Sequence, residues 1–113
     1  MTIKERMHGM IAVLSLKGNM MGDPDDTDAL KERIVGLLSE GFKKIVLDLG
    51  GVRFVSSAGL GAIISSYTTV KSKGGDLRLA NITDKVESLF VITQLVKVFK
   101  TYETTERAVA SYK

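Results

Sequence analysis

Cysteine is absent from this 113-residue chain, which excludes a disulfide framework, a thiolate zinc site and a cysteine nucleophile. A reducing compartment such as the cytoplasm suits that composition. No apolar run approaches the ~18 residues of a membrane span, and no basic segment followed by an apolar one opens the chain. The expectation is a soluble, untargeted, cytoplasmic protein. There is a single histidine. His8 lies near an expected turn, where a surface role outweighs catalysis or metal binding. The Gly-x-Ser-x-Gly elbow, the phosphate-binding loop and the dinucleotide fingerprint are all missing, so neither hydrolysis nor nucleotide binding is expected. Asp23, Asp25, Asp26 and Asp28 lack the glycine and closing glutamate of a calcium loop, and helix capping accounts for them better than a metal. The reading is therefore a non-enzyme with no cofactor.

What is present describes one domain, residues 1–113, with 44% hydrophobic and 26% charged residues. That length buries roughly two-thirds of its unfolded surface and can fold without staples. The formal charge of +3 is mild, and its cations are interspersed with acids, which points to a solvated surface and no direct nucleic-acid contact.

The chain opens with Thr2 to Met7, His8-Gly9 and the apolar stretch Met10 to Leu16, a pattern for a hairpin with a polar edge strand. Gly18 to Asp28 reads as a loop. Asp23-Pro24 then reads as an N-cap followed by proline in the first helical position. Leu30, Ile34, Leu37 and Leu38 share one helical face, and Gly41 ends that helix. Ile45-Val46-Leu47 is a short apolar run suited to a strand covered on both faces, which Gly50-Gly51 should break. A second helix follows, with Leu60, Ile63, Ile64 and Tyr67 on one face, ending at Gly74-Gly75. Asp76 to Ala80 alternates as a strand, Thr83 caps a third helix burying Val86, Leu89 and Phe90, and Val96 to Phe99 reads as a last strand. Glu103 to Tyr112 should form a closing helix with Ala108 and Val109 buried. The order ββαβαβαβα predicts an α/β fold: one mixed sheet of four to five strands flanked by about four helices.

The segment Phe54-Val55-Ser56-Ser57-Ala58-Gly59-Leu60-Gly61 carries the most information. It joins a strand to a helix start, where backbone amides lack partners and the dipole favours an anion. Gly59 and Gly61 each cost a helix roughly 1 kcal/mol relative to alanine, and close approach of a second backbone would explain them. Ser56 and Ser57 read either as plain caps or as hydroxyls for a phosphate of about −1.5 to −2 charge. Met20 and Met21 are either adaptable binding surface or core.

Ile45-Val46-Leu47-Asp48-Leu49, then Val52, Phe54, Ser57, Gly59, Leu60 and Gly61, resemble the signature of the STAS domain, in particular its stand-alone anti-sigma factor antagonists. Leu16-Lys17-Gly18 and Gly74-Gly75 before Leu77 extend the resemblance along the chain. It implies an antagonist that binds an anti-sigma factor, often a serine kinase, when unphosphorylated, and so regulates sigma-factor-dependent transcription. Phosphorylation by that kinase would release it, and a phosphatase would reset it. The implied phosphoacceptor is Ser57, with Ser56 as the alternative. The implied partner surface comprises Met20, Met21, Ser56, Ser57, Ala58, Gly59, Leu60 and Gly61. Within the resemblance, a scaffold or sensor module of a stressosome-like, self-associating assembly is the alternative; outside it, a small-ligand-binding module.

Overall fold

A computed structural model describes residues 1–113 and holds five strands in the order β1-β2-β3-β4-β5. The strands are β1 (Thr2–His8), β2 (Ile11–Met20), β3 (Lys44–Val55), β4 (Asp76–Ala80) and β5 (Thr101–Tyr102). The hairpin pairs β1 antiparallel to β2, and every later neighbour is parallel. Helices α1 (Pro24–Ser39), α2 (Ser57–Ser72), α3 (Asp84–Ile92) and α4 (Thr105–Ala110) complete the α/β order expected from the sequence. None of them is long and apolar enough to cross a membrane.

The period of two along β3 divides the sheet's faces. Ile45, Leu47 and Leu49 join the main core with Leu30, Ile34 and Leu37 of α1, Leu60 and Ile63 of α2, and Val86 and Phe90 of α3. Val46 points the other way, into a small cluster with Ile11, Val13, Ala80 and the Ala108 and Val109 of α4. The apolar run at residues 45–47 is thus covered on both faces, as a parallel central strand requires. Gly41, at φ +95°, closes α1 in the left-handed region.

Several boundaries differ from the sequence reading. The expected loop at residues 18–28 shrinks to residues 21–23, because β2 continues to Met20. Gly18, at φ +116°, absorbs the irregularity that lets pairing resume as Gly18 with Val52 and Met20 with Val55. Gly50-Gly51 likewise does not end β3. A Cβ on Gly51 would lie 2.8 Å from the Leu16 carbonyl oxygen, so this glycine permits close strand approach through a register shift. Asp23 stands at the N-cap of α1 with Pro24 behind it, yet its side chain makes no capping hydrogen bond.

The expected strand at Val96 to Phe99 is not formed. Gln94 adopts a left-handed conformation and Leu95–Lys97 makes a 3-10 turn. Phe99 is drawn into the core against Tyr67 and Phe90, at ring separations of 4.9 and 5.6 Å, and the last strand begins two residues later. Ile64 faces solvent; the buried face of α2 comprises Gly59, Leu60, Ala62, Ile63, Ser66 and Val70. The closing helix is shorter than expected, starting after a Thr104 cap, with Ala108 and Val109 buried as the pattern required.

Candidate functional site

The crossover from β3 into α2 meets the end of β2 at one point. There the Ser56 amide donates to the Met20 carbonyl oxygen at 2.9 Å. Ser56 is extended (φ −78°, ψ 171°), the usual N-cap conformation, and its Oγ accepts the Gly59 N–H at 3.0 Å. Its carbonyl oxygen accepts the Leu60 amide at 2.8 Å, the first helical bond. The half-buried Ser56 hydroxyl is therefore committed to holding the helix end. Ser57 occupies the first helical position, is exposed, and its hydroxyl is not used as a cap.

Gly59 makes this junction possible. A Cβ there would overlap the Met20 carbonyl oxygen and come 2.7 Å from the carbonyl carbon. The close backbone approach inferred from the two glycines is real for Gly59, but it is internal: the second backbone is the end of β2. Gly61 has nothing within 4 Å of where its Cβ would be, so no close approach explains it. Gly22, at φ +77°, lies over Ala58, where a Cβ would come 2.7 Å from the Ala58 carbonyl carbon. The short β2–α1 connection is thereby seated on the first turn of α2.

Of the residues the sequence grouped as a partner surface, Met21, Ser57, Ala58 and Gly61 are exposed and Ser56 is half-buried. Met20 is core at 3% exposure, Leu60 is buried at 7%, and Gly59 is buried under β2. The structure therefore brings the group together in space while separating it into a supporting layer and an outer one. Met20 belongs to the first and Met21, at 46%, to the second.

Two features of the site go beyond the sequence reading: the charge at the start of α2 and the outward turn of Phe54. The first is electrostatic: α1 has Asp25 and Asp26 in its first turn, and α3 has Asp84 and Glu87, whereas the first turn of α2 contains no acid. The helix itself therefore supplies no acid to offset its dipole. The second is Phe54, 50% exposed immediately before the crossover. Between the pairs Gly18–Val52 and Met20–Val55, Asn19 alone stands against Arg53 and Phe54. This bulge lets Val52 and Val55 both face the core and turns the intervening pair outward. Composition offers no signal for such a bulge.

Around the site the crossing loops are pinned from the opposite sheet face. Asp48 accepts hydrogen bonds from Ser15 Oγ at 3.0 Å, from the Gly50 amide at 3.0 Å and from Asn81 Nδ2 at 2.9 Å. Asn81, in the left-handed conformation at φ 57°, donates also to Thr105 Oγ1 at 3.0 Å, tying β3, β4 and α4 together. No group of three or more histidine, cysteine, aspartate or glutamate side chains is placed to hold a metal ion.

Comparison with known proteins agrees with this geometry. Residues 3–108 match the STAS domain family. An anti-sigma factor antagonist homolog of Thermotoga neapolitana is 35% identical over 71 residues, covering 63% of this chain and 63% of that protein. The match thus spans less than two-thirds of that relative's length. The anti-sigma-B factor antagonist of Bacillus subtilis is 34% identical over 79 residues, 68% of this chain and 72% of its own. Among solved structures, the anti-sigma factor antagonist SpoIIAA in its unphosphorylated form superposes with a TM-score of 0.73 at 15% identity, covering 98% of this chain and 96% of its own. The phosphorylated form of the Bacillus protein gives 0.75 at 17%, covering 99% of this chain and all (100%) of its own. At those identities the likeness concerns the fold.

Proposed function

The chain belongs to the STAS domain family, and from that premise we propose that it is an anti-sigma factor antagonist, a binding module and not an enzyme. In this reading the unphosphorylated protein binds an anti-sigma factor that is also a serine kinase, and a sigma factor is freed. Phosphorylation of Ser57 releases the antagonist, and a phosphatase restores it.

One observation carries the assignment of the switch. Ser57 is exposed at the first position of a helix whose first turn has no acid, while its neighbour Ser56 spends its hydroxyl on the Gly59 amide. A kinase reaches the first hydroxyl directly and the second only by undoing a cap worth about 1 kcal/mol. A phosphate on Ser57 meets a helix terminus that favours an anion, so the fold absorbs it. An interface built over the same spot would have to desolvate a dianion, and a loss of about 2–4 kcal/mol there weakens binding roughly 30- to 1,000-fold.

The test is incubation with the kinase that co-purifies from the native cell, with ATP, followed by phosphopeptide mapping and a binding titration. Phosphate on Ser57 with loss of binding is the expected result. Phosphate on Ser56 alone moves the switch by one residue, and phosphate on neither serine removes it. Recovery only of further copies of the chain, in a large particle, favours the scaffold reading instead.

A further inference from the structure

The bulge that turns Phe54 outward also opens a groove between the end of β3 and α3. It encloses about 230 Å³ and is lined by Arg53, Phe54, Val55, Lys85, Val86 and Leu89. We infer that this groove is the anchoring subsite for the anti-sigma factor, taking an apolar side chain of the partner that is flanked by a carboxylate. The inference rests on the reading that the chain binds an anti-sigma factor at all.

The lining supplies the chemistry. Four of the six residues are apolar and the other two are cations. Neither Arg53 nor Lys85 takes part in any of the five ion pairs of the molecule. The acids of α3 form no ion pair with them. Asp84 and Glu87 border a different cavity, on another face of the helix, with Ser88, Val91 and Ile92. The groove therefore offers apolar walls and a rim with two cations free of ion pairs, which complements an apolar residue beside an acid and repels one beside a base. An aromatic ring held half in solvent by a strand irregularity is also the residue type that anchors protein interfaces.

Position links the groove to the switch. Phe54 and Val55 directly precede Ser56 and Ser57, so a partner seated on Phe54 borders the first turn of α2. A phosphate on Ser57 would then compete with the partner's carboxylate for the same positive field. Binding and release become two claims on one electrostatic surface.

The decisive measurement is the affinity of purified variants for the recombinant anti-sigma kinase that co-purifies with the wild-type chain. Phe54→Ala should weaken binding about 30-fold, as expected for a central aromatic anchor. The Arg53→Glu/Lys85→Glu double variant should weaken it about tenfold at low salt and flatten the salt dependence seen for wild type. Ile92→Ala, on the other cavity, should bind within about twofold of wild type. All the altered side chains lie at exposed positions, and unchanged thermal melting confirms that the variants fold. If wild type binds the kinase and the Phe54 and charge-reversal variants match it within about twofold, the groove is not the subsite, and the antagonist reading stands without it. If the wild-type chain binds no anti-sigma factor, the antagonist reading fails and takes the subsite with it.

Discussion

Two glycine-to-alanine substitutions two residues apart on α2 should change stability in opposite directions. At Gly61 the space for a Cβ is empty, so alanine brings only its better helix propensity, a gain of about 0.5–1 kcal/mol. At Gly59 the same methyl would overlap the Met20 carbonyl oxygen and lie 2.7 Å from its carbon. Carbon–carbon contacts settle near 3.5 Å or beyond, so the helix start must retreat from β2 by roughly 0.8 Å or more. That retreat strains the Ser56 amide bond to Met20, 2.9 Å, and the Ser56 cap on Gly59, 3.0 Å. Each is worth about 1 kcal/mol, and overpacking adds about 1–3 kcal/mol. Against a propensity gain of about 1 kcal/mol, Gly59→Ala should be net destabilising by about 2–4 kcal/mol. Urea unfolding at constant m reads both changes as shifts in midpoint. A Gly59→Ala protein as stable as wild type would refute the argument that this glycine exists to admit the β2 backbone.

The serines should separate by stability as well as by chemistry. Ser56→Ala removes the cap on the Gly59 amide and should cost about 1 kcal/mol while leaving a phosphoacceptor; Ser57→Ala, at an exposed position, should stay within about 0.5 kcal/mol of wild type and abolish phosphate incorporation. At the far end of the sheet, burial foremost, with Asp76 adding to it, pushes the Tyr112 phenol well above its ordinary value, and its hydroxyl lies 2.8 Å from the Ile45 carbonyl oxygen and 2.9 Å from that of Asp76. The folded state thus holds this proton more tightly than the unfolded one, so the contribution is intact below about pH 10 and is lost as pH rises through the folded value. Tyr112→Phe should cost about 1 kcal/mol near neutrality, and its deficit relative to wild type should narrow above about pH 10; parallel stability–pH curves for the two proteins would refute the coupling.

The order of elements was legible because each helix and most strands carry their own local signal. Leu30, Ile34, Leu37 and Leu38 do line the buried face of α1, and Thr83 does cap α3 through the Val86 amide. What escaped were features decided by tertiary contact. Val96 to Phe99 alternates like a strand, yet Phe99 gains more by packing on Phe90 and Tyr67 than the segment would by pairing. Glycine is the other ambiguous signal, since its three uses look alike in sequence. Gly51 admits a neighbouring strand, Gly18 turns through a positive φ, and Gly61 does neither. At the site the same ambiguity made Met20 and Met21 equivalent until the strand was seen to continue through Met20 and bury it.

The charge inventory constrains how a switch at this junction can work. A helix N-terminus stabilises an exposed anion by about 0.3–1 kcal/mol, and α2 is the long helix whose first turn carries no acid to oppose one. A phosphate on Ser57 would therefore be neutral to mildly favourable for the isolated domain, and the phosphorylated protein should melt no lower than the unmodified one. Release cannot then come from loosening the fold. On the proposed reading it would arise where the partner sits, from the dianion's desolvation and from its competition for the Arg53 and Lys85 cations on the groove beside Phe54. A phosphorylated protein that melts several degrees lower than the unmodified one would reverse that logic, making the switch a local unfolding of the first turn of α2.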